Sequence, residues 1–287
     1  MTNIAGKTVL LTGASGGIGR VIVDALVKEQ ATIIGVSRSK DKLDRLASAV
    51  NAQGGTLIAI PFDISQTEQL PKLIEQIQVQ VPSVDILINN AGIEIYRAFQ
   101  DYSSSQIQAI LSTNLLAAIE LSRLLLPDML HRKQGHIVNL SSLAAKKGHP
   151  YDSIYSASKA GLLMWSDAIR QELAGTQVQI SSICPGYVSD QGMLADTGVP
   201  APSLSGTSTP EQVAVRVIKA IQKNETEVIV NQNWLSESLL KLLLTLWQIF
   251  PRAGDLMYRW ANVVHLNQMR INPQAEKDQI TLNSPLR

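Results

Sequence analysis

Tyr155 and Lys159 stand four residues apart at the opening of a long helix-period stretch. That spacing sets both side chains on one helix face, within mutual reach. A phenol with a reference pKa near 10 is a poor acid or base at neutral pH, and a neighbouring cation favours its ionised form. Lowering it by about three units takes roughly 4 kcal/mol of differential stabilisation, much of which a partly buried ammonium can supply. The pair is therefore a candidate for proton exchange with a substrate oxygen. Taken alone it is also an ordinary helix-surface pair.

A second constellation is Thr12-Gly13-Ala14-Ser15-Gly16-Gly17-Ile18-Gly19, which follows a strand-like run and opens a helical pattern. Glycines let the chain turn sharply and bring backbone amides close to a pyrophosphate, and the helix N-terminus adds unpaired N–H groups. A plain strand-to-helix turn is the alternative, but the position between strand and helix points to a dinucleotide. The next strand ends at Ser37 and Arg38, about 18 residues beyond Gly19. An acid there would bond the ribose hydroxyls of NAD and repel a 2′-phosphate. A guanidinium can stack on adenine and pair with that phosphate, so NADP is favoured over NAD unless Arg38 is only a solvated loop charge.

The context of Tyr155 is equally ordered. A run from His136 ends in Ser141-Ser142, with Ser142 13 residues before Tyr155. Asn89-Asn90-Ala91-Gly92 ends the preceding strand, Asn114 lies inside the intervening helix, and Pro185-Gly186 follows the sixth strand. With the glycine turn and Asp63, these features resemble the classical short-chain dehydrogenase/reductase family, in order, from about Gly6 to Val230. The resemblance implies hydride transfer between a nicotinamide and a carbonyl or secondary alcohol, with no metal. It implies that Tyr155 exchanges the proton, that Ser142 rather than Ser141 holds the substrate oxygen, and that Lys159 binds the nicotinamide ribose and depresses the tyrosine pKa. An oxidised nicotinamide would help in that. Asn114 would position a water linking Lys159 to solvent, or else be an amide satisfied within its helix. Asp63, with Ile64 beside it, would meet the adenine edge, a helix N-cap being its alternative. Asn90, Ala91 and Gly92 would pack on the adenosine ribose, unless they form a merely structural turn. Gly13, Ser15, Gly17, Ile18 and Gly19 would cradle the phosphates. Pro185, Gly186, Val188 and Ser189 would meet the nicotinamide. The family commonly has threonine where this chain has Asp190, so Ser189 or the Val188 backbone is expected to take over its contact. Cys184 reads as a small buried hydrophobe.

These residues need a scaffold. Short apolar, β-branched runs at 7–12, 32–37, 56–62, 86–89, 136–140, 178–183 and 227–230 alternate with helical periods at 17–29, 40–53, 68–81, 105–132, 154–174 and 210–223. Strict alternation predicts an α/β fold, a Rossmann-type doubly wound parallel sheet of about seven strands with a crevice at its carboxyl edge. Residues 189–209 read as a long loop covering the nicotinamide, with Met193, Leu194, Val199 and Leu204 either lining the pocket or anchoring the loop in the core. Residues 1–231 are expected to form the catalytic domain and 232–287 a helical extension.

In that extension Leu235, Leu239, Leu242, Leu243, Leu246 and Ile249 make an apolar stripe near Trp234 and Trp247. Leu256, Met257, Trp260, Val263 and Val264 follow beside Arg252, Arg259 and Arg270. Two readings stay open: helices packed on the body or a subunit partner, or a segment touching lipid with basic groups at the headgroups. The apolar run of about 16 residues from 235 to 250 is shorter than the roughly 20 that span a bilayer.

The composition sets limits. Lys and Arg total 25 against 24 Asp and Glu, so nothing favours nucleic acid as a partner. One cysteine and four scattered histidines exclude an internal disulfide and offer no metal-site spacing. The N-terminus lacks a signal-peptide pattern, and a cytoplasmic location is expected, with a membrane-peripheral one as the second reading. The overall expectation is an NADP-dependent carbonyl reductase or alcohol dehydrogenase for an apolar small molecule, acting as a homodimer or tetramer. The alternative is a non-catalytic dinucleotide sensor or scaffold of the same fold.

Overall fold

The computed structural model describes residues 2–189, 193–202, 207–231 and 234–271. Seven parallel strands form one sheet in the order β3-β2-β1-β4-β5-β6-β9. They are β1 (Thr8–Thr12), β2 (Thr32–Ser37), β3 (Thr56–Pro61), β4 (Ile86–Asn89), β5 (Gly135–Leu140), β6 (Val178–Pro185) and β9 (Glu227–Val230). Central strands read as continuous apolar runs because helices cover both faces. Every residue of β4 and β5 is buried. Val9 pairs with Ile33 on one side and Ile86 on the other, so the chain reverses its direction of travel across the sheet at β1. Such a reversal leaves a crevice beyond the carboxyl ends of β1 and β4.

Helices α1 (Gly17–Lys28), α2 (Lys40–Ala52) and α8 (Pro210–Lys223) cover one face, where Val23, Leu26, Leu43, Val217 and Ile221 meet the sheet. On the other face lie α3 (Leu70–Gln80), α4 (Ser104–Leu111), α5 (Ala117–His131) and α6 (Ser153–Glu172), with Leu73, Ile77, Leu121 and Met129 in its core. The local signals agree with this layout. Thr209 and Gln212 form a reciprocal capping box ahead of α8, Pro210 occupies its first turn, and Asn224 ends it at φ 54°. The continuous 104–131 segment is long and apolar enough to cross a bilayer, yet its inward face belongs to this core.

Three differences from the sequence expectation matter. The helix expected over 105–132 is interrupted by a π turn, Ser112–Leu116, that carries Asn114. The loop expected over 189–209 contains a short helix, α7 (Met193–Thr197), and its ends are stitched by the two-residue strands β7 (Tyr187–Val188) and β8 (Thr207–Ser208). Asp190 and Leu204 lie outside the described residues. The C-terminal extension forms α9 (Trp234–Ile249), α10 (Pro251–Trp260) and α11 (Val263–Met269).

These last helices pack on the catalytic body. Leu240, Leu244 and Trp247 join Leu143, Cys184 and Ile229 in one apolar cluster. Lys147 pairs with Asp255 at 2.5 Å, and Asn267 donates to the Pro150 carbonyl at 2.9 Å. The side chains of Trp234 and Leu235 lie outside the described residues.

Candidate active site

The glycine turn is shaped by close approach. Gly13 has φ +68°, and a Cβ there would sit 2.9 Å from the Ala91 Cα. A Cβ on Gly19 would fall 2.1 Å from the Gly13 carbonyl oxygen, so α1 can begin this close to the turn only with glycine. Thr12 fastens the turn to the chain after β4: its hydroxyl accepts from the N–H groups of Asn90 and Ala91, both at 3.1 Å. Asn90 donates in return to the Thr12 carbonyl at 2.9 Å. The Asn-Asn-Ala-Gly segment thus has a structural role as well as a place at the site. Buried Asn89 continues the network inward through Asn139 to Ser166.

A cavity of about 580 Å³ runs from this turn to Tyr155. Of the residues expected at the site, all line it except Asn114 and Ser189. Ser189 instead turns its N–H to the Ser208 carbonyl at 2.9 Å, which closes the β7–β8 pair, so the expected nicotinamide contact falls to Val188. The Asn114 amide donates to the Ile93 carbonyl at 2.9 Å and to Ser158 at 3.1 Å, and accepts from the Ile93 N–H at 2.8 Å. That side chain is spent on clasping the β4 exit to α6.

At the adenosine end, the Ser37 hydroxyl accepts from the Ser15 N–H at 3.1 Å, while Arg38 is exposed at the cavity edge. Ser39 and Lys42 also line it there, two residues the sequence reading missed. Their signal was present: Lys42 lies in the first turn of α2, four residues after Arg38. Asp63 borders the cavity too, and its carboxylate accepts from the N–H and hydroxyl of Ser65 at 3.0 and 2.8 Å. It is an Asx turn, so the alternative reading of Asp63 as a helix N-cap does not hold.

At the other end Ser141 and Ser142 diverge. Ser141 donates to the Lys159 carbonyl at 3.0 Å and is consumed by α6. Ser142 faces the Tyr155 phenol, and their hydrogen bond opposes the rise in the phenol's pKa. Lys159 Nζ lies 5.7 Å from the Tyr155 ring centre and donates to the Leu140 carbonyl at 2.7 Å. The expected depression of the tyrosine pKa is not what the protein's own groups produce. Burial dominates and pushes the Tyr155 phenol well above 10, while nearby Glu94 and Asp152 push the same way. Burial lowers Lys159 to about 8, partly countered by Glu94. Desolvation disfavours the charged form of each group and outweighs their attraction.

Glu94 and Asp152 were not singled out from the sequence. Glu94 lines the cavity two residues after Gly92 and accepts from the Tyr96 hydroxyl at 2.9 Å. Asp152 is fully buried three residues before Tyr155, and neither of its oxygens has a hydrogen-bond partner among the described residues. Burial raises both carboxyls, that of Asp152 further, and the charge of Glu94 raises Asp152 as well. Buried Arg270 stacks over Tyr96 and Tyr187, at 5.5 and 5.2 Å from the ring centres, and favours ionised Glu94. Only tertiary structure brings a residue from the far C-terminus to this point.

The substrate end has apolar walls. Leu240, Leu244 and Trp247 of α9 and Met257 of α10 face it, with Met193 and Leu194 of α7. Val199 is buried away from it, the core-anchoring alternative of the two readings. Cys184 is buried, and burial pushes its thiol to about 12, as befits a packing residue.

This arrangement recurs in known proteins. The profile of the short chain dehydrogenase family matches residues 7–198. A ketoacyl reductase, HetN, of Nostoc sp. is 56% identical over 284 residues, 99% of each chain. A fatty acyl-CoA reductase of Acinetobacter baylyi is 33% identical over 230 residues, covering 79% of this chain and 76% of that one. Among solved structures, a metagenomic short-chain oxidoreductase in complex with NADP is 27% identical, with a TM-score of 0.69 over 81% of this chain and 99% of the other. Since the family profile spans the glycine turn, the Asn-Asn-Ala-Gly clasp and the Ser142–Tyr155–Lys159 group together, the chain belongs to the short-chain dehydrogenase/reductase family of oxidoreductases.

Proposed function

We propose that the protein is an NADP-dependent carbonyl reductase acting on an apolar substrate, a 3-oxoacyl or similar long-chain ketone. The observation that carries this reading is one continuous cavity with basic Arg38 and Lys42 at one end and Tyr155 beside an apolar chamber at the other. The identity to a ketoacyl reductase over nearly the whole chain supports the substrate class, and a relative solved with NADP supports the cofactor. The crevice fits a dinucleotide on its own evidence, because the glycine turn, Arg38 and Asp63 line the same cavity as Tyr155 and Lys159.

When bound, the nicotinamide supplies or accepts the hydride. The chain's residues do the rest. The N–H groups of the glycine turn and the α1 terminus hold the pyrophosphate. Arg38 and Lys42 hold a 2′-phosphate, with Asp63 and Ile64 at the adenine and Asn90, Ala91 and Gly92 at its ribose. Lys159 binds the nicotinamide ribose hydroxyls. Ser142 donates to the substrate carbonyl oxygen, and Tyr155 passes its phenolic proton to that oxygen as negative charge develops. A phenol kept protonated by burial suits the reductive direction. The apolar walls exclude water and orient the chain of the substrate.

The protein works in the cytoplasm as a homo-oligomer through the outer faces of α4 to α6, where Leu116 and Met164 are exposed. NADPH and NADH consumption with a panel of 3-oxo thioesters and methyl ketones of graded length tests the reading. Turnover that rises with chain length and prefers NADPH is expected. Nucleotide binding without turnover of any carbonyl would favour the sensor or scaffold alternative.

A further inference from the structure

The C-terminal helices are apolar on two sides. One side of α9 and α10 roofs the cavity through Leu240, Leu244, Trp247 and Met257. On the opposite side Leu242, Leu246 and Ile249 of α9, Phe250, and Leu256 and Trp260 of α10 are all exposed among the described residues, Ile249 at 62% and Trp260 at 82%. Scattered exposed apolar residues are normal, but six large ones on two consecutive helices form a patch. Basic residues are interleaved with it. Arg252, Leu256, Arg259 and Trp260 follow i, i+4, i+7, i+8 spacing and share one face of α10, and Lys241 flanks the stripe on α9. None of these three cations is in an ion pair among the described residues.

We infer that this face docks the protein on an anionic lipid surface, with α9 and α10 lying in the headgroup layer. The charge pattern selects lipid over the competing occupants. In an isologous contact the same patch faces a copy of itself, so Lys241, Arg252 and Arg259 would meet a surface equally rich in cations. Among the described side chains of α9 to α11 the one acid is Asp255, already engaged by Lys147. The remaining chain, 272–287, has Ile280, Leu282 and Leu286 as its only large apolar side chains, too few to cover the patch. A lipid surface accepts both components: apolar side chains enter the acyl boundary while arginines reach the phosphates. With one pair of helices forming both the cavity roof and the docked face, a lipophilic substrate would reach the site from the membrane. Docking itself does not depend on the enzymatic reading.

The test is flotation of the full-length protein with vesicles of phosphatidylcholine alone and of equal phosphatidylcholine and phosphatidylglycerol. The expected result is co-flotation with the mixed vesicles, weakened by salt, and a blue shift of tryptophan emission that Trp260→Phe diminishes. Each basic side chain at an anionic surface is worth about fivefold in partitioning, so Arg252→Glu with Arg259→Glu should weaken binding by about 30-fold or more. Ile249→Ser with Leu256→Ser should reduce binding to both vesicle types, while NADPH affinity, read by fluorescence, stays unchanged and shows the fold intact. Absence of flotation with the mixed vesicles overturns the inference. So does a sedimentation mass that falls from dimer to monomer in Ile249→Ser with Leu256→Ser, which would make this face an interface between copies.

Discussion

Tyr155, Lys159 and Ser142 owe their chemistry to burial more than to charge pairing. Tyr155→Phe removes the proton donor and leaves the dinucleotide crevice intact, so kcat should fall by about 100- to 10,000-fold while NADPH still binds. Stopped-flow turnover with fluorescence titration checks both halves of that expectation. Lys159 is lowered to about 8, so its ammonium is present below that pH and lost above it. NADPH affinity of the free enzyme should therefore decline as pH rises through about 8. Lys159→Met should abolish that dependence. At the other end of the cavity, Arg38→Asp would, on the proposed reading, set a like charge against the 2′-phosphate. The NADPH-over-NADH ratio of kcat/KM should drop by about 10- to 100-fold, and an unchanged ratio would remove Arg38 from cofactor selection. Glu94 and Asp152 lie outside the family signature, yet both act on Tyr155 and Glu94 acts on Lys159 as well. Both residues were written plainly beside known motifs, but a carboxyl in a sequence does not show whether it is solvated or buried.

Among the elements, the strands and most helices were legible because their periods differ and their caps are explicit. Ser103 with Gln106 and Thr209 with Gln212 are readable pairs, and both form reciprocal boxes. The π turn was not legible. Its cause is tertiary: Asn114 satisfies both the N–H and the carbonyl of Ile93, on a segment 21 residues away. Asn114→Leu should leave these buried groups unpaired and destabilise the protein by roughly 2–4 kcal/mol, measurable by urea unfolding. Strand β5 carries His136, fully buried with its ring bonded to Ser181 at 2.9 Å. Burial lowers its pKa to about 4, so the unfolded chain binds its proton first as pH falls. Stability contributed by the neutral ring is complete above about 6.5 and is lost as pH falls toward 4, by up to roughly 3 kcal/mol. His136→Gln should show a shallower loss between pH 7 and 5 than the parent.

At the scale of the whole molecule, the C-terminal extension is part of the active site. Gly254 lets α10 cross α9, since a Cβ there would lie 2.9 Å from Trp247 Cγ. Gly254→Leu should push α10 away, lower the Tm by several degrees and raise KM for long-chain carbonyls, with KM for NADPH unchanged. Steady-state kinetics with substrates of graded length read this directly, and equal effects on both KM values would show a general loss of fold instead. The sequence by itself determined the alternating α/β order, the dinucleotide turn and the Ser142, Tyr155, Lys159 group, because each depends on residues close along the chain or on local period and spacing. Tertiary structure alone decided that Ser189 turns to Ser208 and that Asp152 and Glu94 share a buried corner with Arg270. It also decided which side of α9 roofs the cavity. Those outcomes turn on desolvation and on contacts between segments that are separate along the chain, and no local pattern encodes the distance between two such segments.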